Sequence, residues 1–380
     1  MSFIKRQLYF LLKKISERNH RGYYIEKNQY YIDKYNTCDK KKPTHIIRKE
    51  MKELKKYWGV YPLQYFRYNM YELDCKLSLS DMKDYIPDYF AYFLLYPKSF
   101  LSRDILCEDK FLFYSICEGL NIPQAKTILL TKNGLFLSDK QDILNLESAT
   151  DILKQSKAQK IFCKPRYGIG GKGISVFNNI DDKYIDKNTS SVLDLAQFVN
   201  QDYIIQEGIL QHPIMNDIYP LSINTFRIIT EYTEEFGVTI LFVLLRMGNK
   251  GMEVDNASSG GVYIGVDSVT GQLQKYAMSS KQERYTCHPY TEFKFDGFTI
   301  PFWQDIVSFI KNIAFKFSEI KYIGWDVAYT TDGPLIVEAN NGPDISILQD
   351  CYGGVRKHFQ ISSPHTYWYS EKYSIKDLQV

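Results

Sequence analysis

The sequence predicts an α+β protein: antiparallel strands behind a mainly helical N-terminal region. Three stretches carry that prediction. Residues 160–177, KIFCKPRYGIGGKGISVF, set four glycines (Gly168, Gly170, Gly171 and Gly173) between two apolar runs. That is two antiparallel strands joined by a Gly-rich loop. Residues 323–344, IGWDVAYTTDGPLIVEANNGPD, place Asp332-Gly333 between two β-branched runs, a strong hairpin signal. Near the start, Phe3, Ile4, Leu8, Leu11, Leu12 and Ile15 recur at helical spacing with lysines between them, which predicts an amphipathic basic helix packed on its own protein rather than on an anionic membrane.

In chain order, the helical pattern resumes over Ile46–Trp58 and again around Asp81–Leu95, with the solvated turn Lys40-Lys41-Lys42-Pro43 before it. Asp109-Lys110 opens a helix that stops at Gly119, followed by Pro123, the usual glycine and proline at a helix end. Lys126–Leu130 predicts a strand, Ala149–Ser156 a helix, Ser190–Asn200 a helix and Tyr203–Gln206 a strand. Strands follow at Thr225–Thr230, Val238–Leu245 and Gly261–Val266, then an amphipathic helix at Phe302–Phe317 and the closing hairpin Tyr322–Tyr329 and Leu335–Glu338. The last 25 residues carry no legible pattern.

The 380 residues allow two or three domains, and 44% apolar with 24% charged content is that of a soluble globular protein. A net charge of +3, from 47 basic and 44 acidic residues, gives no argument for nucleic acid as a partner. Seven scattered cysteines without a C-x-x-C pair predict a reducing compartment and no zinc site. No apolar run approaches the ~20 residues of a membrane helix, and Gln7–Leu12 is too short for a signal peptide. The expected location is cytoplasmic.

Glycines let backbone N–H groups cradle a polyphosphate, and Lys164, on the strand before the loop, adds a point charge. Gly168, Gly170 and Gly173 fit G-x-G-x-x-G, but a strand-like ISVF follows where a dinucleotide fold needs a helix. Lys172 precedes glycine rather than Ser or Thr, so this is no Walker A loop. Neither H-R-D nor D-F-G occurs, which excludes a protein-kinase loop. In the closing hairpin, Glu338 and Asn340 are two apart and share one face, and a tight turn brings Asp326 opposite Glu338. Three hard oxygen donors on one face suit Mg²⁺. The six histidines lack ligand spacing.

Together, over residues 104 to 350, these features resemble the ATP-grasp superfamily. The resemblance implies an ATP-grasp fold of two α+β subdomains clasping ATP. It also implies a helical N-terminal region (1–103) and an ATP-grasp domain (104–380), with a lid at about 150–207 and a metal-binding part at about 208–350. It implies that Lys110 contacts the nucleotide and Lys164 the α/β phosphates. Glu207 would face the adenine and ribose, with Gln206 and Ile209 beside it. Asp326, Glu338 and Asn340 would hold two Mg²⁺ ions. Arg166, Gly170, Gly171 and Lys172 belong to the phosphate flap. Arg227 and Arg246 are the candidates to hold the transferring phosphoryl group. SINTFRIIT (222–230), LRMG (245–248) and VDNASSGGVYIGVD (254–267) resemble the sugar-transfer-associated branch, linked with bacterial surface polysaccharide synthesis. Asp255-Asn256 with Gly260-Gly261 could line an acceptor pocket, though turn chemistry explains the same residues. Two departures stand out: Asn341-Gly342-Pro343-Asp344 replaces the family's Asn-x-x-Pro-Gly ending, and residues 1–100 lack the βαβ pattern of an acceptor domain.

The resemblance implies a carboxylate–amine ligase working through an acyl phosphate, on a carboxylate such as a uronic acid or a sugar nucleotide and an amine, in possible peripheral association with polysaccharide-synthesis enzymes. A phosphotransferase acting on a hydroxyl is the second reading, and a non-catalytic nucleotide-binding partner the third; the intact Asp326, Glu338 and Asn340 set argues against the last.

Overall fold

The computed structural model describes residues 3–97, 105–168, 173–186, 189–252 and 260–369. Three helices lead: α1 (Phe3–Lys27), α2 (Gln29–Thr37) and α3 (Thr44–Trp58). Gly59 ends α3 in the left-handed region, φ 75°, and a Cβ there would sit 2.6 Å from the Trp368 indole nitrogen, so both space and conformation require glycine. The helix expected around Asp81–Leu95 is broken into a turn at Leu79–Met82, one at Asp88–Phe90 and a π-helical turn at Ala91–Leu95. Pro87 explains the break, because it disfavours helix at the residue before it.

Strands β1 (Thr127–Lys132), β2 (Leu135–Ser138), β3 (Ile143–Leu144), β4 (Lys160–Pro165), β5 (Ser175–Ile180), β6 (Lys183–Asp186) and β7 (Tyr203–Glu207) form one sheet, in the order β3-β2-β1-β7-β4-β5-β6. Strands β8 (Thr225–Thr233), β9 (Gly237–Met247), β10 (Val262–Gly265), β11 (Ala277–Ser279), β12 (Arg284–Tyr285), β13 (Tyr322–Thr330) and β14 (Gly333–Asn340) form the other, in the order β12-β11-β10-β9-β8-β13-β14. Every pairing within both sheets is antiparallel. The glycine loop does join two antiparallel strands, β4 and β5. The helix expected over Ser190–Asn200 is only a 3₁₀ turn, Leu195–Phe198. Ser190 has φ 57°, which no helix accepts, and the Asp194 carboxylate caps the turn late by accepting from the Ala196 N–H. No disulfide joins any of the seven cysteines, and among the described residues no helix is long and apolar enough to cross a membrane.

Register decides which residues meet which layer. Phe226 on β8 packs near Trp303, and Trp325 on β13 near Phe317, so one face of the second sheet buries the helix Trp303–Lys316. Arg227 and Asp326, one residue along, point to the other face.

The first helix docks by a different face from the one its apolar spacing predicts. Ile4, Leu8, Leu11 and Ile15 stay exposed while Lys13, Ser16 and Glu17 are buried. The buried face carries the polar and aromatic contacts: Lys13 Nζ donates to the Tyr367 carbonyl (2.8 Å), Tyr89 OH to the Lys13 carbonyl (3.1 Å), and Phe10 stacks on Tyr369. Those partners satisfy the buried polar groups and supply large ring contacts.

The N-terminal region also braces the far end of the second sheet. Tyr96 OH donates to the Pro343 carbonyl (2.8 Å), and Ser346 Oγ donates to Asp88 (2.6 Å). Gln349 exchanges hydrogen bonds with the Ile86 backbone in both directions (2.6 and 3.0 Å). Asp350, on the helix Ile345–Tyr352, is bound in fork fashion by Arg67 and also accepts from Tyr263 OH (2.7 Å) and Gln282 (2.9 Å). Its side chain is 0% exposed, so removing the guanidinium strands a buried charge. Arg67→Met is expected to lower unfolding stability by about 3 kcal/mol, seen as a lower urea midpoint.

Candidate functional site

A cleft of about 830 Å³ lies between the two sheets. From the first sheet come Lys164 on β4 and Gln206 and Glu207 on β7; from the second, Arg227, Arg246, Asp326, Glu338 and Asn340. Lys110 enters from the first turn of the helix Lys110–Gly119.

Asp109 caps that helix, its Oδ1 accepting from the Phe111 and Leu112 N–H groups (3.0 and 3.2 Å). Arg166 holds the same carboxylate through Nε at 2.9 Å, and it reaches Asp202 at 3.1 Å. Arg166 therefore anchors the root of the glycine loop to the helix and is not among the residues that line the cleft. Lys110 Nζ donates to the Gly168 carbonyl at 2.8 Å and lies 3.9 Å from Glu338. One lysine thus links the loop's first glycine with the opposite sheet. Gly170, Gly171 and Lys172 fall outside the described residues, as do Asp255 and Asn256.

On β4, Lys164 Nζ donates to Gln206 Oε1 at 2.9 Å. Gln206 is fixed by donating its own amide to the Ala125 carbonyl (3.3 Å) and to Thr127 Oγ1 (3.2 Å). Protein atoms crowd the ammonium although the side chain opens onto the cleft; this burial pulls Lys164 down to about 8, with Lys110 adding repulsion and Glu338 opposing. Glu207 pairs with the exposed Lys126 at 2.7 Å, a contact that water screens. Ile209 follows at the cleft wall.

In the second sheet Arg227 lies directly across from Asp326, and Asp326 directly across from Glu338. Arg227 is paired with Leu244, two residues from Arg246 on β9, so both arginines share the cleft face. Arg227 reaches Asp326 Oδ2 at 2.9 Å through NH2 while its Nε holds Oδ1, and Arg246 reaches Oδ2 at 3.0 Å. Burial would raise the Asp326 carboxyl, but Arg227 first and then Arg246 hold it below the ordinary value. Glu338 is pushed upward instead, by burial first and then by the charge on Asp326, with Lys110, Arg227 and Lys164 opposing.

This donor set fits Mg²⁺. The Asn340 amide has a buried Nδ2 with no hydrogen-bond partner among the described residues, so no bond seen there from its nitrogen fixes the orientation of that amide. Glu338, raised by burial and then by the neighbouring Asp326 charge, would be relieved by a divalent cation. Asp326 has less to offer a metal, because three guanidinium hydrogen bonds already take up three of its roughly four lone-pair sites.

Several positioning residues gave no motif. Asn224 is fully buried; its amide donates to the Met215 (2.6 Å) and Tyr219 (2.9 Å) carbonyls, and its N–H to Gln211 Oε1 (2.8 Å). That network ties the loop before β8 to Arg227's strand. At Gly248 a Cβ would stand 2.4 Å from Tyr219 and 2.6 Å from Ser222. His288 is a core residue, bonded through Nε2 to the Gly248 carbonyl at 2.9 Å. The signals for Asp109 and Asn224 were present only as a cap before Lys110 and as one letter of SINTFRIIT.

Compared with known families, residues 96–360 match the family model described as sugar-transfer associated ATP-grasp. Among solved structures, the chain is similar to D-alanyl-alanine synthetase A from Vibrio cholerae O1 biovar eltor strain N16961 (11% identity, 70% of this chain, 66% of that chain, TM-score 0.41). It is also similar to an N5-carboxyaminoimidazole ribonucleotide synthetase in complex with ADP (14%, 63% and 46%, TM-score 0.38) and to an L-amino acid ligase from Bacillus licheniformis (12%, 68% and 48%, TM-score 0.37). The chain thus spans about half to two thirds of the length of these structures. No curated protein matches it.

Gly324, opposite Asn340, makes room for Pro343: a Cβ there would stand 2.8 Å from Pro343 Cβ, while Arg227 Cδ at 3.4 Å would be in ordinary contact. Gly324→Ala is expected to cost about 1–3 kcal/mol by overpacking and to displace Pro343 from the strand end beside Asn340. Calorimetry and a crystal structure of the variant check both effects.

Proposed function

We propose that this chain, a member of the sugar-transfer associated ATP-grasp family, is an ATP- and Mg²⁺-dependent carboxylate–amine ligase. In this reading it modifies an acidic sugar or its precursor in bacterial cell-surface, capsular polysaccharide synthesis. Its two antiparallel sheets enclosing one cleft are the ATP-grasp arrangement.

The observation that carries the reading is the charge around the two carboxylates. Four cations, Lys164, Arg227 and Arg246 from the two sheets and Lys110 from its helix, converge on Asp326 and Glu338. That surplus of positive charge suits a polyphosphate accompanied by divalent metal, and it favours a transition state that spreads charge over phosphoryl oxygens. Mg²⁺, held by Glu338 and Asn340 with Asp326, supplies charge neutralisation at the phosphates when bound. Lys164 and Lys110 hold the phosphates on the loop side. Arg227 and Arg246 are placed to take the transferring phosphoryl group by turning a guanidinium from Asp326 toward it. A substrate carboxylate oxygen forms a bond to the γ-phosphorus while the bond to ADP breaks. An amine then attacks the acyl carbon, phosphate leaves, and the amine loses a proton.

Turnover of Mg²⁺-ATP with uronic acids and amino acids, with hydroxylamine as a trap, tests the reaction. The expected result is carboxylate-dependent ADP and phosphate with a hydroxamate product. ADP without phosphate or hydroxamate would transfer the site to a phosphotransferase. Glu338→Gln is expected to abolish turnover with the fold intact by circular dichroism; wild-type turnover in that variant would refute the metal assignment. ATP binding should also respond to pH. The Lys164 ammonium is present below about 8 and lost above it, so affinity should fall between pH 8 and 9.5 by up to roughly tenfold per unit. Lys164→Arg should flatten that profile in a calorimetric titration.

A further inference from the structure

Helix α1 presents an apolar face that nothing among the described residues covers. Ile4, Leu8, Leu11 and Ile15 are 78%, 47%, 55% and 38% exposed. Their spacing of four, three and four residues stacks them in one stripe, on the side of the helix away from the buried Lys13, Ser16 and Glu17. About a quarter to a third of a turn round the helix, Phe10 and Lys14 line a separate pocket of about 410 Å³. Lys52, Lys55 and Lys56 of α3 complete its basic rim, and Trp368 stands under the Lys14 ammonium, 3.7 Å from ring centroid to Nζ.

Charge selects the occupant. Residues 3–16 contain no acid, and residues 1–60 hold sixteen Lys and Arg against six Asp and Glu. The whole chain is only +3, so the rest of it is net negative and the positive charge is gathered at this end. A second copy laid stripe against stripe would bring like charges together. An apolar stripe beside clustered lysines matches instead the lipid–water interface of a negatively charged bilayer, where apolar side chains enter the acyl boundary and lysines meet the headgroups.

We propose that α1 and the adjoining lysine pocket form a docking surface for an anionic phospholipid membrane. The stripe lies in the interface plane and the exposed Lys52, Lys55 and Lys56 meet headgroup phosphate. This surface is remote in sequence from the residues that line the nucleotide cleft and does not depend on the ligase reading.

Flotation of the full chain with phosphatidylcholine vesicles, with and without about 30% phosphatidylglycerol, tests it. The expected result is binding to the anionic vesicles at least about tenfold tighter than to the neutral ones, weakened by raising salt from about 0.1 to about 1 M. Leu8→Ser with Leu11→Ser should lower binding about tenfold or more, and Lys52→Glu with Lys55→Glu and Lys56→Glu should remove the preference for anionic lipid. All five positions are exposed, and circular dichroism checks that the helices persist. No binding to anionic vesicles, equal binding to neutral ones, or a stripe variant that binds as the parent does would each overturn the proposal. So would a dimer in sedimentation that the stripe variant dissolves, because the face would then belong to a second copy.

Discussion

Asp326 is the point on which the site turns. Its carboxylate is buried between Arg227 and Arg246 at the meeting of β8, β9 and β13, and a buried charge without such partners would not persist. Holding Asp326 ionised has a second effect, because Glu338 sits directly across from it and feels its charge. Lys110 and Lys164, from the opposite side of the cleft, offset that repulsion. The two sheets are therefore coupled electrostatically through a carboxylate pair on one and Lys164 on the other, with Lys110 added from the helix Lys110–Gly119. A phosphate-bearing ligand with divalent metal would enter an arrangement already set for its charge.

The cleft is held open and in register by parts of the chain distant from it. Asp109 both caps the helix that carries Lys110 and holds Arg166 at the root of the glycine loop. Beyond β14, Tyr96, Asp88 and Ile86 grip the segment from Pro343 to Gln349. Trp58, Phe90, Leu94 and Trp368 share one continuous core with the second sheet. The N-terminal helices thus act as a brace behind β14, in a chain whose sequence offers no acceptor-binding βαβ unit.

Much of the site was legible because its residues sit on short-range patterns. An Asp-Gly turn between two β-branched runs specified the hairpin, and the two-residue alternation of strands then placed Glu338 and Asn340 on one face with Asp326 opposite. Lys110 was named by the family resemblance, and Lys164 by its place before a glycine loop. The arginines were visible as residues on strands but not as partners of Asp326. That pairing requires β8 to lie between β9 and β13, an order no local pattern contains.

Sequence by itself determined the antiparallel hairpins, the helices ending at Trp58 and Gly119, the helix Trp303–Lys316 and the Asp326–Glu338 register, because each rests on turn chemistry or periodicity within a few residues. Tertiary structure alone decided that Arg166 anchors rather than lines the cleft, that Asn224 locks the strand carrying Arg227, and that α1 buries its lysine- and serine-bearing face. In each case the outcome depends on a partner far along the chain: Asp202 for Arg166, Gln211 for Asn224, Tyr367 for Lys13. Periodicity shows that a helix has an apolar face, but only the partners brought by the rest of the chain determine which face is covered.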